Sequence, residues 1–331
     1  MPDYHPGCDC IDCRRARAGV PMPTLDEYID EPTILEEEEF FEEEEEEYQE
    51  YCEDDIHPYD FTPRWQYHRL RRTGKEKYLG IELEVETTDG KTRRRGLSEV
   101  IYKVGSDFCF GKHDSSIDCG VEFVYHPCTW GFIQKNKDQL FNPLIALKNQ
   151  GWSSYASGKC GLHVHYSRSR LSDFQMAKML KIWKNGETPL LSLISGRNID
   201  DPTKRGYSFC PAKTPRGGIP KYVKDKEYDR DSLNLCPRKT IEFRVFRGTL
   251  NKQTLLGRIG LVPATEEFIN KTSYRNCSLK NLGKWALEEM PRKRYPETFK
   301  MLNSERIKKE IYRPQAVWIK DLYKDLYTTP G

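Results

Sequence analysis

The stretch GIELEVE, residues 80–86, decides how this chain is read. Side chains alternate across a strand, so residues two apart share a face. Glu82, Glu84 and Glu86 therefore point one way, and Ile81, Leu83 and Val85 the other. Three further segments repeat the device: CGVEFVYHP (119–127), GLHVHYS (161–167) and TIEFRVFRGTLN (240–251). His163 and His165 share a face, backed by Leu162, Val164 and Tyr166; Glu242 and Arg244 share another, backed by Ile241, Phe243 and Val245. Carboxylates aligned on a sheet face repel unless cations sit among them, and a divalent metal with a few arginines answers that need.

Taken singly, each segment has a plainer explanation. The glutamates can form a solvated strand face, the imidazoles can be satisfied by hydrogen bonds, and Glu242 with Arg244 can be a structural ion pair. Together they differ. Each strand carries oil on its second face, which calls for a helical layer behind it, so the charged faces converge on one open side.

Outward from these strands, the pattern predicts strands at 79–86, 99–104, 120–125 and 240–246, with Arg93–Arg95 in a polar loop or hairpin. Helices are expected at 138–150, ended by Gly151, and at 173–183, capped by Ser172 and Asp173. A helix over 254–271, kinked or split at Pro263, and terminal helices at 279–290 and 295–311 complete the pattern. Residues 196–232 lack periodicity and read as a long functional loop. No internal repeat is present.

The 331 residues carry a net charge of only +2, but unevenly. Residues 1–60 hold 22 acids and 3 bases, a net of −19, and the remainder holds 29 acids and 50 bases, a net of +21. The run 36–50 is nearly all glutamate, and like-charge blocks stay disordered. The domain expectation is a disordered acidic tail over 1–60 with a cysteine cluster, followed by one domain over 61–331. That domain has a core at 79–251 and a helical part at 252–331. The tail can keep a basic body soluble, or can fold over it and gate access to the site. His5, Cys8, Cys10 and Cys13 can form a zinc centre or remain free thiols, with Cys52 and His57 as further candidates. No apolar run approaches the roughly 20 residues of a membrane span, and no secretory pattern opens the chain, so a cytoplasmic protein with reduced thiols and no membrane partner is expected. Aromatics among bases at Trp65–Arg72 permit nucleic acid as a partner, but a strand or helix entering the core with a solvated basic edge is the preferred reading.

Five pieces in order, G-I-E-L-E, D-S-S-I-D, G-V-E-F-V-x-x-P, G-L-H-V-H-x-S and I-E-F-R-V-F-R-G-T-L, resemble the amidoligase family, over residues 79–251. These are carboxylate–amine ligases whose fold is similar to glutamine synthetase and glutamate–cysteine ligase. The resemblance implies an α+β fold: a curved, largely antiparallel sheet with helices on its convex face. It implies an ATP-dependent ligase that joins a small-molecule or peptide carboxylate to an amine through an acyl phosphate. Its metal ligands fall on Glu82, Glu84, Glu122, His163 and Glu242, for Mg²⁺ or Mn²⁺. His165 and Ser167 fall beside the nucleotide, and Arg244, with Arg247 near the strand end, on phosphate or the substrate carboxylate. The turn Gly158-Lys159-Cys160-Gly161 reads either as a glycine-rich approach to the nucleotide, with Lys159, or as a plain turn. The family segment D-G-S is Asp114-Ser115-Ser116 here, which leaves Asp114 without a clear role. No P-loop motif is present. The other reading open to the chain is a non-catalytic binding protein on the same scaffold, for nucleic acid or an acidic partner.

Overall fold

The structure, a computed structural model, describes residues 56–87, 94–117, 120–184, 188–197, 212, 217–225 and 231–314. The acidic run, the thiol cluster around Cys8 and most of the 196–232 segment lie outside the described residues. The described residues form two compact units, one within 1–170 and 225–252, the other within 171–224 and 253–331.

The first unit is a mixed α+β structure around an eight-stranded sheet. Its strands are β1 (Ile56–His57), β2 (Tyr78–Thr87), β3 (Cys109–Lys112), β4 (Gly120–Thr129), β5 (Trp152–Ser153), β6 (Gly161–Ser167), β7 (Leu233–Asn234) and β8 (Thr240–Arg247). Their order is β1-β3-β4-β2-β6-β8-β7, with β5 paired to β2 beside this path. Only β1 with β3 is parallel among the named strand pairs; the rest are antiparallel. β2, the first segment quoted above, is central, and its oil side is sealed: Leu79, Ile81, Leu83 and Val85 are all 1% exposed or less. Leu83 sits opposite Phe123 of β4 and Leu162 of β6, both fully buried.

Among the described residues this unit has two α-helices, α1 (Arg94–Val104) and α2 (Trp130–Ala146). The strand expected at 99–104 is the second half of α1, and Arg94 and Arg95 begin this helix rather than a loop. The β-branched look of EVIYKV misled. Leu97, Val100 and Val104 are buried while Tyr102 is exposed, which is helical spacing. α2 starts eight residues before the expected 138, where the Thr129 hydroxyl accepts from Phe132 N. A short 3₁₀ turn, Leu147–Gln150, carries it to Gly151, whose φ of 83° closes the segment. The Tyr125 hydroxyl donates to Leu140 O at 2.8 Å, which ties α2 to the oil face of β4.

The second unit is helical among its described residues: α3 (Asp173–Trp183), α4 (Thr188–Ser195), α5 (Gly218–Asp225), α6 (Lys252–Lys271), α7 (Leu279–Glu288), α8 (Pro296–Leu302) and α9 (Glu305–Tyr312). The expected cap of α3 is a full capping box between Ser172 and Gln175. α5 places a helix inside the segment expected to be a loop. α6 runs through Pro263 as one helix, and the expected 295–311 helix is two, α8 and α9, with Asn303 capping the first.

Candidate functional site

Antiparallel register lines the polar residues up in rows across the first unit's sheet. One row runs Lys112, Glu122 and Glu84, and the Glu84 carboxylate reaches the amide of Gly161, which pairs with Arg247. The next joins Val124, Glu82 and His163, and the third joins Gly80, His165, Glu242 and Asn234. Glu82, Glu84, Glu122, His163 and Glu242, spread over four strands and 160 residues of sequence, are thereby gathered on one face, each 8% exposed or less. His163 Nδ1 is 3.5 Å from Glu82 Oε2 and 3.9 Å from Glu242 Oε1, and its Nε2 is 3.9 Å from Glu84 Oε1. His165 Nε2 is 3.5 Å from Glu82 Oε1 and 4.0 Å from Glu242 Oε1.

Three overlapping groups have one donor atom per residue, all within 4.8 Å of one another: Glu82–Glu122–His163, Glu82–His165–Glu242 and Glu84–Asp114–Glu122. Octahedral ligands about 2.1 Å from an ion lie about 3.0 or 4.2 Å apart, so these spacings fit a divalent cation. Carboxylate oxygens suit Mg²⁺, and the imidazoles lean toward Mn²⁺. Asp114, left without a role by the sequence, belongs to the third group. Its Oδ1 accepts from Ser116 N at 2.7 Å, the turn its Asp-x-Ser spacing encodes.

Electrostatics within the cluster are strongly coupled. Burial would raise the Glu82 carboxyl, but His165, His163 and Lys112 outweigh it and hold Glu82 well below the usual range. Burial would lower His165, yet the facing Glu82 and Glu242 raise it to about 9. Burial raises Glu122, and the negative Glu82 adds to this against the pull of Lys112, to about 7. Burial would raise Glu242, but Arg244 and His165 bring it down.

Held polar contacts fix the remaining carboxylates. Glu84 Oε2 accepts from Gly161 N at 2.6 Å, Glu86 Oε1 from Ser157 N at 2.7 Å, and Glu242 Oε2 from Asn234 Nδ2 at 2.8 Å. Arg244 lies 2.5 Å from Glu242 Oε1. Arg247 reaches the same face through a bulge. Val164 pairs with Phe243 but Leu162 with Phe246, so one extra residue of β8 is absorbed between them. Val245 and Phe246 are consecutive and both fully buried, and the parity of Arg247 is switched. Its guanidinium sits 4.8 Å from the Tyr155 ring centroid.

Beside Glu82 a cavity of about 150 Å³ opens, walled by Tyr67, Tyr78 and Val124, with His165, Ser167, Lys239 and Thr240 at its polar side. The Ser167 hydroxyl accepts from Tyr78 N at 2.8 Å. Of the three residues expected at a nucleotide, His165 and Ser167 line this cavity. Lys159 does not: it precedes the far end of β6, six strand residues from Ser167. Lys112 and Asn234 were not expected at all; the period-two step from Phe110 to Lys112 was the available signal for the first.

No helix of the described residues is long and apolar enough to cross a membrane. No family model and no curated protein matches the chain. Among solved structures, the crystal structure of the complex between prokaryotic ubiquitin-like protein Pup and its ligase PafA is similar at 11% identity, covering 76% of this chain and 68% of that one, with a TM-score of 0.33.

Proposed function

We propose that the first unit is an ATP-dependent carboxylate–amine ligase acting through an acyl phosphate. One observation carries the reading: buried carboxylates and imidazoles from four strands form three donor groups that share Glu82 and Glu122. A simple structural ion-pair cluster has no need of shared donors at metal spacing. The cavity next to Glu82, walled by Tyr67 and Tyr78 and carrying His165, Ser167, Lys239 and Thr240, supports a nucleotide as the phosphate donor.

A carboxylate is a poor electrophile, because its leaving group would be oxide. Its oxygen attacks the γ-phosphorus, the bond to ADP breaks, and the acyl carbon gains a phosphate leaving group. A neutral amine then attacks that carbon, phosphate departs, and phosphate can take the amine's proton. Phosphoryl transfer asks for charge neutralisation and in-line positioning. Glu82, Glu84, Asp114, Glu122, His163 and Glu242 would hold the divalent ions. Such ions, when bound, neutralise phosphate charge and align the γ-phosphoryl group. Arg244 and Arg247, as planar forks, would grip phosphate or the substrate carboxylate. The Glu242 contact and the Tyr155 ring preset their directions. Burial of Glu82, Glu84, Glu122, His163 and Glu242 would limit the water that can hydrolyse the intermediate.

The test is ADP formation from ATP and Mg²⁺ or Mn²⁺ with a panel of amino acids, polyamines and peptides, followed by product mass spectrometry. A new amide with stoichiometric ADP is expected. Tight metal and nucleotide binding without turnover on any pair would instead favour a binding protein.

A further inference from the structure

Lys112 is a buried cation that neither the strand pattern nor the family resemblance assigns. It ends β3, is 2% exposed, and places its Nζ 2.8 Å from Glu122 Oε2. An ammonium so deeply buried is costly to keep unless its partner holds it well. Yet that partner is also wanted elsewhere. Glu122 belongs to two of the three donor groups, with Glu82 and His163 on one side and with Glu84 and Asp114 on the other. An oxygen engaged by an ammonium is a poor ligand, and a fixed positive charge at that range repels an incoming divalent ion.

The location gives the charge a second destination. Glu122 lies two residues along β4 from Val124, a wall of the cavity, which is about 7 Å. A phosphate chain extending from the cavity past Glu82 along this face would come within the sweep of the Lys112 side chain, rooted opposite Glu122 on the neighbouring strand.

We propose that Lys112 is an exchange cation: it neutralises Glu122 before nucleotide binds, then moves its ammonium onto the terminal phosphate of a nucleoside triphosphate, releasing Glu122 to a divalent ion. Metal binding is thereby suppressed in the nucleotide-free protein and promoted by nucleotide, and by linkage the reverse holds. The inference rests on the nucleotide reading of the site given above.

Calorimetric titration of the full chain with Mn²⁺ alone, and with a non-hydrolysable ATP analogue alone, tests it in wild type, Lys112→Gln and Lys112→Met. Both variants should bind Mn²⁺ about tenfold or more tighter than wild type and the analogue more weakly. Lys112→Arg, which keeps the charge, should leave Mn²⁺ affinity near the wild-type value, and it guards against a trivial loss of packing. Variants with wild-type circular dichroism whose Mn²⁺ affinity is unchanged or weaker overturn the proposal. If wild type itself binds neither Mn²⁺ nor the analogue, the ligase reading is what fails.

Discussion

Glu82 and Glu86 are the same residue type on the same face of β2, four positions apart, yet they should behave oppositely. Glu82 contributes to two donor groups and faces both imidazoles at 3.5 Å. Glu86 is equally buried, at 7%, but its carboxylate accepts from Ser157 N and enters none of the three groups. Replacing a carboxylate with its amide keeps shape and removes the anionic oxygen a hard cation needs. Even residues that only orient metal ligands change affinity about 10–100-fold, so Glu82→Gln should cost about 100-fold. At a metal concentration 100 times Kd, wild type gains about 2.7 kcal/mol, and a 100-fold weaker site only about 0.4 kcal/mol. For a chain of 331 residues, with an unfolding entropy of about 0.7 kcal/mol/K, that is a rise in Tm of about 4 °C reduced to below about 1 °C. Differential scanning fluorimetry with Mn²⁺ and ATP, each variant against its own metal-free baseline, reads the difference. Glu86→Gln should keep the full rise. Glu82→Gln retaining it, or both variants losing it alike, would refute the assignment of Glu82 as a shared ligand.

Other expectations follow from the packing. His126 is 3% exposed and its Nδ1 accepts from Gln66 N at 3.3 Å; burial first, and then the neighbouring His68, bring it down to about 4. The unfolded chain takes up that proton near 6.5, so this residue's contribution is intact above pH 6.5. It is lost as pH falls toward 4, by as much as about 3 kcal/mol. Urea denaturation from pH 7 to 4 should show a shallower decline in His126→Gln, and an unchanged slope counts against the argument. Leu83→Ala, at a fully buried position between Phe123 and Leu162, should cost about 2–5 kcal/mol in urea denaturation; a loss below 1 would mean the sheet's oil face is loosely packed. A Cβ added at Gly120 would lie 2.1 Å from Val85 O and 2.5 Å from Ile117 Cγ2, so Gly120→Ala should separate β4 from β2. Stability should fall by more than about 2 kcal/mol, together with the metal-dependent rise in Tm; retention of both would show that the strands part at no cost.

What the sequence discloses depends on how local the governing physics is. Period-two alternation is local, so β2, β4, β6 and β8 and the faces of Glu82, Glu122, His163 and Glu242 could be read directly from residue order. Caps are local too, and Ser172 declared the start of α3. The misreading of 99–104 has the same origin: over six residues a β-branched run and a helical stripe look alike, and only burial of Leu97, one turn earlier, separates them. Short strands escaped for a different reason. Ile56–His57 and Leu233–Asn234 are too brief to alternate and exist because a neighbour's edge pairs with them. Asn234 went unforeseen with them, since it reaches the site only through such pairing.

Arg247 marks the boundary between what is local and what is not. Strict alternation from Glu242 and Arg244 would put Phe246 among the carboxylates and Arg247 in the oil. The adjacent pair Val245-Phe246 breaks that alternation, and both side chains can be buried only if one residue bulges. The sequence thus announces that a bulge is needed, but not where the ladder absorbs it. That depends on β6, where Gly161 offers no side chain opposite Arg247 and donates its N–H to Glu84 instead. The same glycine therefore accommodates the shifted strand and fixes a carboxylate of the donor cluster, so the position of an arginine on β8 and the geometry of a glutamate on β2 are set by one backbone amide between them.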